Sequence, residues 1–579
     1  MKQQPSSTTA RLREAPTSPR EGVARISPVH HPPFSPEGCQ ETLQLMAEET
    51  AANLGGLRLR GNPRPFFISN LLRHERGCQV RASYGALYTS REWEHARLLA
   101  DIRVGNHRLD QVLDGGLHDE HEEGFTAGWT EAPVDLEPRG LRYSLWKLMQ
   151  RKYEEVLQAY YEKRKVMVEE FFRTKVDSFS REPVVELVEP LTQVVFPRAR
   201  WEEQARRISE LFTRHDFIFD PGVVYWGTAS TRFFVGSEGT RFATTDTHLQ
   251  LSIQGWVRTR DGVYLPGGLD WYGRREEDLP DPGQLERAVE GLVAHLRLLQ
   301  RAPALGAFVG PALLAGQAAA VFFHEAIGHR LEGERLISRS EGKTFLGKVG
   351  EQILPAHIHV HDDPTLTHLG SQPLFGAFRI DDQGVVPRRV TLVEHGRLAG
   401  YLKSRAPIPG FPASNGHARG EGTRPPLARM GNLVASSEQR HTWAELVQLL
   451  RAECRRQGKR HGLIVEQVSG GETSTDAYDF QSFKGEPSRV WRLDARTGRQ
   501  ELVRDVSFIG TPLAALQKII AAGGEQAADN GYCVAESGEI PVSNLAPPIL
   551  LSELELQRQS THSFHKPVLP LPWHRDGGG

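Results

Sequence analysis

The sequence predicts an α+β protein of two domains. The first is an N-terminal α/β domain with an antiparallel sheet and long helices; the second is a β-rich C-terminal domain. Three observations lead there. Apolar residues recur at helical spacing in four stretches before residue 305, at 41–53, 141–172, 200–214 and 284–300. Two-residue alternation bounded by glycine turns recurs through both halves and dominates after residue 330. A chain of 579 residues is long enough for two separate cores.

Residues 1–38 are rich in Pro, Ser, Thr and Arg and lack hydrophobic periodicity. They bury too little surface to offset their ordering entropy, so a disordered leader is expected, with His30 and His31 in a solvated tail. Strand-like runs follow the first helix at 65–69, 79–87 and 98–104. The acidic stretch 114–128, with His118 and His121, reads as a solvated loop. A long amphipathic helix over 141–172 places Leu145, Met149, Tyr153, Val156 and Tyr160 near one stripe. Strands return over 223–265, with Arg260-Asp261-Gly262 as a hairpin turn. Gly310-Pro311 is expected to open an apolar helix running to Phe323, proline being suited to a first helical turn. Beyond it lie a hairpin at 390–402 around His395-Gly396, a Gly/Pro/Arg-rich loop at 407–426, a helix at 443–457, further strands, and a helix at 512–522. The domains expected are therefore 1–38 leader, 39–305, 306–558, and 559–579 flexible tail.

The formal charge of −2 supplies no strong field for nucleic acid or anionic membranes. No apolar run approaches the roughly 20 residues that span a bilayer. Four distant cysteines without CxxC pairing suit a reducing compartment, and no apolar segment follows the basic start, so a cytoplasmic location is expected.

The chemistry concentrates in His324-Glu325-Ala326-Ile327-Gly328-His329. Two imidazoles are metal ligands by type, and a carboxylate beside them can take a proton from an activated water. The two rings stand five residues apart, not four. On a straight helix that step rotates roughly 140°, so both rings cannot meet one ion. The helix must widen or stop near Gly328.

With Gly376–Gly384 (Gly-Ala-Phe-Arg-Ile-Asp-Asp-Gln-Gly), Ala428-Arg429-Met430-Gly431-Asn432, Ser469-Gly470-Gly471, Phe508-Ile509-Gly510-Thr511 and Asp529-Asn530-Gly531-Tyr532-Cys533, the chain resembles the TldD/PmbA family of metallopeptidases, in particular its catalytic TldD-type members. The resemblance is firmest over 306–554. It implies the two-domain Tld-type fold, with Cys533 as third ligand to one Zn2+ per active subunit beside His324 and His329, and Glu325 as general base. It also implies hydrolysis of unfolded or short peptides inside a homodimer, or a heterodimer with a paralogous subunit. Arg429 and Asn432 are candidates for holding substrate backbone or for stabilising a turn, and Glu332 for orienting a ligating histidine or as a surface charge. The alternative is a non-catalytic binding or assembly subunit of the same fold with a structural zinc. Two departures are expected to reshape the pocket rim: Val534–Glu539 replaces the family's usual Gly-Lys-type run, and Arg330 is bulkier than the family's small residue and should narrow the entry.

Overall fold

The computed structural model describes residues 32–116, 128–169, 176–191, 193–478, 481–558 and 571–572. The part of the expected leader up to residue 31, the stretch with His118 and His121 expected as a loop, and nearly all of the expected tail lie outside the described residues.

Helix α1 (Pro36–Gly56) starts ahead of the expected residue 41, because Ser35 Oγ accepts from the Gly38 amide at 3.0 Å and Pro36 fills the first turn. Two long strands follow, β1 (Pro65–Ser83) and β2 (Ala86–Val104). The run expected as one strand at 79–87 contains their hairpin turn, where Tyr84 and Gly85 both have positive φ (48° and 80°). A two-residue turn of this hand suits twisted strands, but tyrosine in it gives no sequence signal. Then come β3 (Trp129–Ala132), α2 (Pro138–Glu169), β4 (Glu186–Val188), α3 (Arg198–Glu210), β5 (Ile218–Gly236), β6 (Arg241–Arg258), β7 (Tyr264–Gly273) and α4 (Pro282–Arg301). The sheet order is β3-β2-β1-β5-β6-β4 with β7 also on β6, antiparallel except for β4 against β6. The 260–262 hairpin turn stands where expected, joining β6 to β7.

One face of this sheet carries the helices. Leu43, Met46, Leu145 and Met149 of α1 and α2 pack with Ile68, Leu72, Phe233 and Val235. Trp201, Ile208, Leu292 and Leu296 of α3 and α4 pack with Cys78, Val80, Val223 and Tyr225. The strand residues share one parity along β1 and along β5, hence one face. The opposite parity meets the C-terminal half. Leu71, Leu99, Phe234 and Phe242 pack on Ile380, while Arg73 and Arg232 grip Asp382 at 2.8 and 2.6 Å.

The C-terminal half runs β8 (Phe308–Leu314), α5 (Gly316–Phe323), β9 (Ile358–Asp362), β10 (Val390–Glu394), β11 (Arg397–Leu398), β12 (Asn432–Ser437), α6 (Trp443–Arg456), β13 (His461–Thr473), β14 (Phe483–Asp494), β15 (Gln500–Val503), β16 (Val506–Gly510), β17 (Ile519–Ala522), β18 (Ala527–Ala535), β19 (Gly538–Ala546) and β20 (Ile549–Arg558). One sheet has the order β11-β10-β9-β12-β19-β18. In the other, β13-β8-β20-β16-β14 closes into a ring because β14 also pairs with β13; β15 and β17 attach to it. Helix α5 packs against β13 of the ring and against β18 and β19 of the sheet.

Two helix expectations are corrected. Residues 308–314 form a central strand, parallel to β13 and antiparallel to β20, and the continuous burial of 310–314 on both faces, not a helix, accounts for the apolar run. Pro311 is tolerated where the register between β8 and β20 slips. At 512–522 the helix stops at Leu516, and Ile519–Ala522 joins the sheet through β-branched residues that favour strands.

Candidate metal centre

Helix α5 leads directly into the motif. After Phe323 the chain widens into a π-helical turn over His324–Gly328 and then tightens into a single 3-10 turn over His329–Leu331. The widened turn absorbs the extra residue between the histidines and brings their ring centroids to 4.8 Å. Gly328 sits within this turn for reasons of space: a Cβ there would stand 2.3 Å from Met430 Sδ.

Cys533 arrives from β18, the edge strand of the six-stranded sheet. Its Sγ lies 3.3 Å from His329 Nε2, and donor atoms of His324, His329 and Cys533 all lie within 4.8 Å of one another. All three side chains are buried. Each ring's other nitrogen has its own partner. His324 Nδ1 stands 2.8 Å from Asn544 Oδ1, and His329 Nδ1 stands 3.4 Å from Glu332 Oε2. Such contacts fix the tautomer and leave each Nε2 free to ligate.

The electrostatics ask for positive charge at this spot. Burial works against a Cys533 thiolate, yet His329, Arg429 and His324 hold its pKa well below that of an ordinary thiol. Burial also works against charge on the rings, but the thiolate raises His324 to about 9 and, with Glu332, His329 to about 10. Two imidazoles facing a thiolate are a donor set for zinc, and the cation would satisfy the same demand.

Glu325 is 6% exposed. Burial raises its pKa, opposed by His324 and His329. Its carboxylate rests on Gly471 of β13, where a Cβ would fall 2.5 Å from Oε1. Glycine at that position makes room for the acid.

The comparisons with known proteins agree with this geometry. Residues 309–558 match the PmbA/TldA metallopeptidase C-terminal domain. The C-terminal part of the chain thus belongs to the TldD/PmbA metallopeptidase family. It is 32% identical over 235 residues to a metalloprotease of Archaeoglobus fulgidus, covering 40% of this chain and 49% of the relative. To a zinc metalloprotease TldD homolog of Saccharolobus solfataricus it is 27% identical over 249 residues, 42% of this chain and 51% of the relative. The match thus spans about half the length of these curated relatives. By structure it is similar to TldE of Thermococcus kodakarensis (TM-score 0.55, 14% identity, covering 85% of this chain and 97% of that one). A proposed modulator of DNA gyrase from Thermotoga maritima gives a TM-score of 0.57 at 15% identity, covering 90% and 100%. At such identities these two structures speak for the fold alone.

The family landmarks now have physical roles in this chain. The Asp381-Asp382 turn joins the two halves of the molecule. Asp382 takes Arg73, Arg232 and the Gly420 amide, while Asp381 accepts from the amides of Gln383, Val385 and Ala418. It thereby pins the 407–426 loop, which is much more buried than a solvent loop.

Arg429 and Asn432, read from the sequence as substrate-holding or turn-stabilising, are both buried among scaffold partners. Arg429 is 1% exposed and donates to the Cys533 and Gly538 carbonyls and to Ser537 Oγ, while its Nε lies 3.4 Å from Glu332. Asn432 spends its amide on the Asp363 and Leu366 carbonyls. Glu332, by contrast, lies against His329 as an orienting group would, and it also accepts from Arg335 at 2.9 Å. Arg330 does not narrow an entry: it is buried and braces Glu325 O, Thr473, Ser474 O and Ser482 O. The atypical residues after Cys533 are fastened too, Glu536 receiving Arg335 at 3.0 and 2.8 Å.

Sequence reasoning missed Asn544 and the Gln317–Asp529 contact (2.8 Å) beside it. Asn544 lies in a strand with no spacing relation to His324, so nothing local marks it.

Proposed function

We propose that this chain is a catalytic, TldD-type zinc peptidase hydrolysing unfolded or short peptides. The convergence of His324, His329 and Cys533 beside a buried Glu325 carries the reading. Zinc held by those three ligands, one ion per active subunit, would supply a Lewis acid that polarises the scissile carbonyl and acidifies a water. Asn544 and Glu332 hold the two imidazoles in the tautomers that present Nε2. Glu325 takes the water's proton on its carboxylate and returns it to the leaving amine. Its raised pKa makes it a stronger base than a surface carboxylate.

Among the described residues only three protein donors converge here, which favours a catalytic ion with an open position over a closed structural one. The outer side of β18, the strand bearing Cys533, pairs with no strand among the described residues. An extended peptide docked there would be read through its backbone, giving broad specificity. We further infer two domains meeting near residue 305, a homodimer or a heterodimer with a paralogous subunit, and a cytoplasmic setting in keeping with four unpaired, buried cysteines. No helix among the described residues is long and apolar enough to cross a membrane.

Metal content and cleavage of an unfolded peptide by wild type and Glu325→Ala test the reading. Retained zinc with lost cleavage supports it; equal cleavage by both proteins refutes it.

A further inference from the structure

We propose a second metal site, for zinc or a similar divalent transition-metal ion, formed by His359, His395 and Glu438 on the surface of the six-stranded sheet. Donor atoms of the three lie within 4.8 Å of one another. Glu438 Oε1 stands 3.4 Å from His359 Nε2 and 3.2 Å from His395 Nδ1, so one carboxylate oxygen serves both rings. The rings meet edge to face with centroids 4.5 Å apart. Two imidazoles and a carboxylate are a nitrogen and oxygen set suited to zinc and its neighbours, and poorly suited to calcium or magnesium. Side-chain exposures of 24%, 62% and 57% leave room for water to complete the coordination.

The backbone beneath the three residues is already fixed. His359 lies in β9, which is paired on both sides by β10 and β12. His395 opens the turn from β10 to β11, and its φ of 47° is unusual for a residue with a side chain. That turn is tied down at Gly396, whose amide donates to Ile358 O at 2.9 Å and whose carbonyl accepts from Ile353 and Leu354. Glu438 follows β12, with its amide on His357 O at 2.9 Å. Binding therefore orders side chains alone.

One contact changes on binding. His359 Nδ1 accepts from the His395 amide at 3.2 Å, which places the ring proton on Nε2 toward Glu438. Coordination through Nε2 moves that proton to Nδ1 and gives up this single long hydrogen bond.

The site is separate from the Cys533 centre. In the sheet order, β9 stands three strands from β18, roughly 14 Å by strand spacing. The inference therefore does not depend on the peptidase reading. An ion here would staple β9, the β10–β11 turn and the segment after β12, making local stability metal-dependent.

Zn2+ titrated into chelator-stripped protein tests this, with bound metal counted for wild type and His395→Asn; asparagine tolerates the left-handed turn. The variant is expected to bind one equivalent fewer than wild type. In a Cys533→Ala background the remaining zinc-induced rise in Tm should disappear when His395→Asn is added. Equal zinc counts in wild type and His395→Asn, or a Tm rise indifferent to His395, would overturn the proposal.

Discussion

Replacing Gly471 by alanine displaces Glu325 without touching any ligand. The new Cβ falls 2.5 Å from both Cγ and Oε1 of Glu325 and 2.7 Å from Cδ, whereas ordinary contact begins near 3.4 Å. The carboxylate must retreat by about 1 Å. It sits at the end of a flexible side chain, so the fold absorbs the move and stability should shift by no more than about 1 kcal/mol. A reacting group misplaced by about 1 Å costs on the order of 10²-fold in rate, equivalent to about 3 kcal/mol of barrier. Peptide hydrolysis measured at saturating substrate, with zinc content and thermal unfolding on the same samples, reads this out. The expected result is kcat down about 100-fold with zinc and Tm unchanged. Wild-type turnover in Gly471→Ala would mean that the acid at position 325 does not work from its place on Gly471, and the reasoning fails.

Two further outcomes follow from the same structure. Asn544→Ala removes the 2.8 Å partner of His324 Nδ1 and should weaken zinc binding about 10–100-fold in competition against a chelator, with unchanged affinity counting against the orienting role. Burial pushes the Asp246 carboxyl up, but Arg232 and Arg274 reverse this and hold it at about 2, below the ordinary 3.8. The stabilisation is therefore complete above about pH 4 and lost as pH falls toward 2, amounting to about 2 kcal/mol. Urea unfolding from pH 5 downward should show wild type losing more stability than Asp246→Asn; parallel pH profiles would contradict the assignment.

How much of this was legible beforehand depended on whether the signal was local. The five-residue step from His324 to His329 forced a break in helical geometry, and the π-helical turn is the form it takes. The amphipathic helices announced themselves because one periodicity governs their whole length. The strand over 308–314 did not, since burial on both faces erases alternation, and it therefore read as helix, whereas the 390–402 hairpin was legible. The Tyr84-Gly85 turn lacked the residues that usually mark its type. Cys533 was reachable only through family resemblance, being about 200 residues from the histidines. Asn544 and the carboxylate's seat on Gly471 depend on β18, β19 and β13 closing around α5, a tertiary fact with no imprint in spacing. Arg429 left two readings open for a related reason: its anchoring of the strand that carries Cys533 is a long-range contact that local sequence does not mark.

The central claim is that metal holding and proton transfer reside in different residues of one site. The measurement that tests it most directly records zinc per chain and the rate of cleavage of an unfolded peptide on the same preparations of wild type, Cys533→Ala and Glu325→Ala. The account predicts one zinc equivalent and all cleavage lost in Cys533→Ala, and the full zinc count kept with cleavage lost in Glu325→Ala. Cleavage by Glu325→Ala at the wild-type rate, or undiminished zinc at this centre in Cys533→Ala, would contradict it.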